Sequence, residues 1–100
     1  MLTVKASGLI GLAMKAGKVS AGEWAAERSV KTKRPYLVLI AGDASDNTKK
    51  KLVQMCEYRK VRYLIVSGKE ELGHVIGKGE RSCLTIEDKN FAGAIIKALE

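Results

Sequence analysis

The chain has 100 residues, of which 46% are hydrophobic and 29% charged, with a formal net charge of +7. A chain of this length buries about 65% of the surface it exposes when unfolded, enough for a single compact domain and too much for a disordered tail. Its longest unbroken apolar run, YLVLIA at 36–41, falls far short of the ~20 residues that span a bilayer.

The periodicity predicts a first helix over 3–15, with Leu9, Ile10, Ala13 and Ala16 on one side and Gly17 as its stop. KVS (18–20) reads as a very short extended piece. A second helix is predicted over about 22–33, burying Ala26 and Val30, and Pro35 blocks its continuation. YLVLIA is uniformly apolar, as in a central strand covered on both faces. GDASDN supplies a turn and cap for a helix over 47–59, with Leu52, Met55 and Cys56 inward and Lys49, Lys50 and Lys51 solvated. VRYLIV (61–66) reads as a second buried strand, and strand, helix, strand in that order argue for a parallel crossover. A short helix over 69–76 turns Leu72 and Ile76 inward and stops at Gly77. RSCLTI (81–86) is a further strand. The last helix, 88–99, is capped by Asp88 and carries Phe91, Ile95, Ile96 and Leu99 on one face. Helices alternating with strands predict an α/β fold, a three-layer α/β/α sandwich around a small sheet.

Catalysis and metal binding find little support. His74 is the one histidine, and Cys56 and Cys83 are the only cysteines, so no four-ligand zinc set is available. The thiols are expected to be reduced and mostly buried. Glu70–Glu71 and Glu87–Asp88 are sequence neighbours, which diverge on a helix and make poor acid/base partners. GHVIGKG (73–79) mimics a phosphate loop, yet it is one residue short, ends in Gly79 and follows a helix. No catalytic residue, metal, cofactor or small-molecule substrate is expected. LIGLAM (9–14) is followed by Lys15 and Lys18 without a small-residue cleavage pattern, so a cytoplasmic protein with no membrane partner is expected.

The charge is unevenly placed. Residues 1–34 hold seven Lys/Arg against two acids, a balance of +5, whereas residues 35–100 hold eleven against nine. Such an excess is an electrostatic footprint for a polyanion. In AGEWAAERSVK (21–31), Trp24, Arg28 and Lys31 fall at i, i+4 and i+7 on one helical face. The helix opens at a glycine turn, so free backbone N–H groups and the positive dipole end face outward there. Lys18, Arg28 and Lys31 are placed around that end. Backbone donors, cations and an indole suit RNA with unstacked bases better than duplex DNA. The bland alternative packs Trp24 against a neighbouring helix.

GLAMKAGKVSAGE (11–23), LVLIAGDAS (37–45), the run Cys56, Glu57, Lys60, Val61 and Tyr63, and KEELGHVIG (69–77) together resemble the ribosomal protein L-seven-Ae family of kink-turn RNA binders, in particular its small bacterial YlxQ-like branch. The resemblance spans roughly residues 8–98. It implies a four-stranded mixed sheet within the sandwich. It also implies that the start of the second helix enters a sharply bent RNA, where a Gly-x-Asn-Glu turn reads sheared G·A pairs and a basic residue follows one turn later. Carried onto this chain, the turn falls on Gly22, Glu23, Trp24 and Ala25, and the basic residue on Arg28. Lys69 matches the phosphate-contacting lysine, and Lys78, Gly79, Glu80 and Arg81 match the loop that covers a flipped-out base.

Gly22, Arg28 and Lys69 fit that pattern; Trp24 and Ala25 replace the two purine-reading side chains, and the loop is polar. The resulting expectation is a non-enzymatic binder of structured, kink-turn-like or internally looped RNA, ribosomal or ribosome-associated. Its RNA-binding residues are Lys18, Gly22, Glu23, Trp24, Arg28, Lys31, Lys69, Lys78 and Arg81. The rival reading is a protein-assembly factor that uses Trp24 as an apolar anchor.

Overall fold

The computed structural model describes residues 2–100. α1 (Val4–Lys15) is capped by Thr3, whose side chain accepts from the Ala6 N–H. β1 (Val19–Ala21) follows, then α2 (Glu23–Thr32), β2 (Leu37–Ala41) and α3 (Asp46–Arg59). β3 (Tyr63–Val66), α4 (Lys69–Val75), β4 (Cys83–Ile86) and α5 (Lys89–Leu99) complete the chain. Ser45 caps α3 by accepting from Thr48 N, and Asp88 caps α5 by accepting from Phe91 N. Gly17 and Gly77 stop α1 and α4 at φ 74° and 72°, a left-handed conformation that costs glycine nothing.

The sheet is mixed, in the order β1-β4-β2-β3. β2 and β3 run parallel, joined by α3, and β4 runs antiparallel to both β2 and β1. Alternation along β2 sends Leu37, Leu39 and Ala41 to one face, where they pack with Ile10, Leu72 and Ile95 of α1, α4 and α5. Val38 and Ile40 point the other way, into a second cluster with Ala26 and Val30 of α2 and Leu52 and Cys56 of α3. The three-layer sandwich is thereby built, with two helices on one side and three on the other.

Two local expectations need correction. VRYLIV is not a fully buried strand: β3 is an edge strand, and Ile65 is 53% exposed. An apolar run reads the same for a central and an edge strand, and β4, arriving later in the chain, takes the inner place beside β2. Ala16 caps the end of α1 in solvent rather than lining its inner face. Cys56 and Cys83 are free and buried in the α2/α3 cluster. Burial pushes each thiol up to about 11, which keeps both protonated and unreactive.

Candidate nucleic-acid interface

α2 begins where β1 ends. Gly22, its N-cap, sits at φ 93° and ψ 168°, a region open essentially to glycine alone, and provides no side-chain cap. The Gly22 N–H donates to the Cys83 carbonyl of β4, which fixes the corner to the sheet. The first bond into the helix is Ala26 N–H to Gly22 O at 3.0 Å. The N–H groups of Glu23, Trp24 and Ala25 are the donors such a helix start leaves without intrahelical partners.

Trp24 stands on this tip with 72% of its surface exposed, so it does not pack into the core. The guanidinium carbon of Arg28 lies 5.5 Å from the Trp24 ring centroid, holding the two side chains as one flat, cationic unit. Lys31 continues the stripe, but its Nζ donates to Glu27 Oε1 at 3.1 Å, so part of its charge is compensated. Arg28 has no carboxylate partner among the described residues.

A second strand of the site comes from the far side of the fold. The Cδ of Arg81 is 3.9 Å from the point where a Gly22 side chain would begin. Arg81 Nη1 donates to the carbonyls of Gly79 and Glu80, which fixes the guanidinium across its own loop. The Arg81 N–H donates to the Lys69 carbonyl, so Lys69, at the start of α4, lies beside the same tip. Lys69 N–H in turn donates to Asp43 Oδ1 at 2.8 Å. Lys78 is exposed in the loop, tied down by its N–H to Gly73 O. Gly73 makes this arrangement possible: a Cβ there would stand 1.9 Å from Gly79 O.

Gly22, Trp24, Arg28, Lys69 and Arg81 thus lie together, with Lys31 one turn further along α2 and Lys78 exposed in the loop after α4. Glu23 and Lys18 do not join them. Glu23 turns toward α3, where Lys51 Nζ reaches its Oε1 at 3.3 Å and Thr48 Oγ1 its Oε2 at 3.4 Å. Lys51 also pairs with Glu27 at 3.4 Å; its contacts with both carboxylates hold its pKa above the ordinary lysine value. Lys18 lies at the opposite end of β1, about 13 Å of extended chain from Gly22, where its carbonyl accepts from Glu87 N–H.

One feature of this region was not legible in the sequence. Trp24, Ala25 and Arg28 border a cleft of ≈ 450 Å³ that also contains Glu87. Glu87 Oε2 accepts from Ser20 Oγ at 2.7 Å and Ser29 Oγ at 2.6 Å, with Lys33 Nζ 3.8 Å from Oε1. These partners lie 67 and 58 residues apart in the chain, and no local spacing announces them.

Residues 5–96 match the ribosomal protein L7Ae/L30e/S12e/Gadd45 family. The chain belongs to this family. Within it, the chain is 40% identical to a Bacillus subtilis (strain 168) protein named RNA-binding protein YlxQ, over 92% of each chain. It is 39% identical to an Enterococcus faecium protein of the same name, over 88% of this chain and 84% of that one. A solved structure, titled as a protein with unknown function from Bacillus halodurans C, superposes with a TM-score of 0.91 at 30% identity. The match covers 97% of this chain and 98% of that one. The L7Ae-type fold therefore accounts for the layers and the mixed sheet described above.

Proposed function

We propose that the chain acts as a single RNA-binding domain, without catalytic activity, and grips structured RNA at the N-terminal tip of α2. The carrying observation is the exposed Trp24–Arg28 pair on a glycine-opened helix start with Arg81 across it. The names of the Bacillus and Enterococcus relatives support the same reading. Gly22 lets RNA approach the backbone, and the N–H groups of residues 23–25 offer donors to phosphate or a base edge. Trp24 stacks on an unpaired base. Arg28, Lys31, Lys69, Lys78 and Arg81 hold phosphates, each adding to salt sensitivity.

The RNA is one with an internal loop or kink-turn-like bend, ribosomal in origin. An indole offers one donor and no acceptor, and Ala25 offers neither. Loss of bidentate purine contacts removes about 1–3 kcal/mol of discrimination for each, so shape and phosphates dominate over G·A reading. The test is titration of three RNAs at two salt concentrations: a minimal kink-turn, the same RNA with its G·A pairs replaced by Watson–Crick pairs, and a looped RNA of unrelated sequence. Both looped RNAs should bind more tightly than the paired one, and all should weaken with salt. Equal binding of looped and paired RNA would remove the site-specific reading. The exposed Trp24 also supports a second reading, an apolar anchor for a protein. A partner that remains bound after ribonuclease digestion would favour it.

A further inference from the structure

At the other end of α2 lies a cleft of ≈ 650 Å³ between the C-terminal ends of α2 and α3. Four of its lining residues are cations, Lys31, Arg34, Arg59 and Lys60, and none of its lining residues is acidic. Arg34, Arg59 and Lys60 have no carboxylate partner among the described ion pairs. Tyr58 stands on its rim 82% exposed, and the Arg59 guanidinium carbon is 5.6 Å from its ring centroid. The Trp24–Arg28 arrangement is thus repeated with a second aromatic and a second arginine.

Cations at helix C-termini are stabilising in themselves, and that alone would not mark a site. The backbone adds to it. Arg34 and Lys60 sit at φ 49° and 58°, the left-handed conformation that ends helices at lowest cost with glycine or asparagine. Each position instead carries a long cation, and both line the same cleft. Lys31 borders this cleft and also the shallow surface next to Trp24 and Arg28. Lys31, its charge partly offset by Glu27, thus joins the surfaces that carry the two aromatic–arginine units. Trp24 to Lys31 spans about 10 Å along the helix axis.

We infer that this cleft is a second binding surface, which takes a single-stranded RNA segment extending from the structured element held at the α2 tip. The inference rests on the proposed RNA-binding function for its orientation, while Arg34, Tyr58, Arg59 and Lys60 belong to the cleft and not to the α2-tip site. Arg34, Arg59 and Lys60 neutralise successive phosphates, and Tyr58 stacks on a base, the combination that binds single strands with little sequence preference. Duplex would not use it, because its bases are already stacked.

The experiment compares a blunt looped RNA with the same RNA carrying a single-stranded oligouridine tail, alongside a free oligouridine cross-linked by ultraviolet light. The tail should tighten binding about tenfold. Tyr58→Ala and the combined Arg34→Ala, Arg59→Ala, Lys60→Gly variant should each abolish that gain and leave binding of the blunt RNA unchanged. Lys60→Gly relieves a left-handed lysine, so its thermal midpoint should equal or exceed the parent's while the tail's advantage shrinks. The free oligouridine should cross-link at or beside Tyr58. If blunt RNA fails to bind but the oligouridine cross-links there, the α2-tip function falls and the cleft stands. Absence of both tail gain and cross-link overturns the cleft. So does competition by polyglutamate as strong as that by oligouridine, which would make the surface one for acidic protein.

Discussion

Trp24 is held outside the core, and its one described cation–π partner is Arg28. Removing the indole therefore forfeits an exposed cation–π contact of about 0.5–1 kcal/mol and little else. Trp24→Ala should melt within a few degrees of the parent by circular dichroism while losing affinity for looped RNA more than for paired RNA. Gly22 behaves in the opposite way. A Cβ there meets nothing closer than Arg81 Cδ at 3.9 Å, so space is not the constraint; the backbone at φ 93° is. Gly22→Ala should cost about 1–3 kcal/mol of stability in a urea titration. A neutral Gly22→Ala would mean that the corner between β1 and α2 relaxes freely.

Among elements, α4 and the loop after it set the far wall of the site. Gly73→Ala cannot be accommodated without moving Gly79, because the Cβ would stand 2.6 Å from its carbonyl carbon. The substitution should destabilise by about 1–3 kcal/mol and weaken RNA binding through displaced Arg81. Gly93→Ala in α5 is the control: its Cβ meets nothing within 4 Å, and it should stabilise by about 0.5–1 kcal/mol. Glu71 of α4 gives the element its pH dependence. It accepts from Ser67 Oγ and from Leu2 N–H, and these contacts, the Ser67 bond first, hold its carboxyl below the ordinary 4.5. A carboxylate lowered in the folded state adds stability that is present above the unfolded value and is lost as pH falls through the folded one. Unfolding midpoints should therefore fall from about pH 4.5 downward, and more gently in Glu71→Gln.

The elements were legible to within two residues because helix and strand leave periodic marks in short windows. Trp24, Arg28 and Lys31 were legible for the same reason, being spaced for one face. What escaped the sequence depends on distant chain segments meeting: the edge position of β3, the loss of Glu23 to Lys51 and Thr48, and the Glu87 cluster with Ser20 and Ser29. Lys18 was misplaced for a related reason. It is close to Gly22 in sequence, but the extended β1 separates the two, leaving Lys18 beside Glu87.

Across the whole molecule, the +7 charge becomes uneven because the two acids of α2 are paired with lysines at the surface. Glu27 is held below its ordinary pKa by hydrogen bonds from Lys31 and then Lys51, and Glu23 also meets Lys51. Arg28 at the middle of α2 and Arg34 beyond its C-terminal end are left without carboxylate partners among the described ion pairs. No described helix is long and apolar enough to cross a membrane, and no metal-binding cluster occurs among the described residues. The most direct test of the account is amide chemical-shift mapping of the 15N-labelled protein during titration with a looped RNA. The largest shifts should fall on the N–H groups of residues 22–25, the Trp24 indole N–H, and the amides of Arg28, Lys69 and Arg81. Shifts confined to α1, α5 or the β3 edge, with the α2 tip silent, would contradict it.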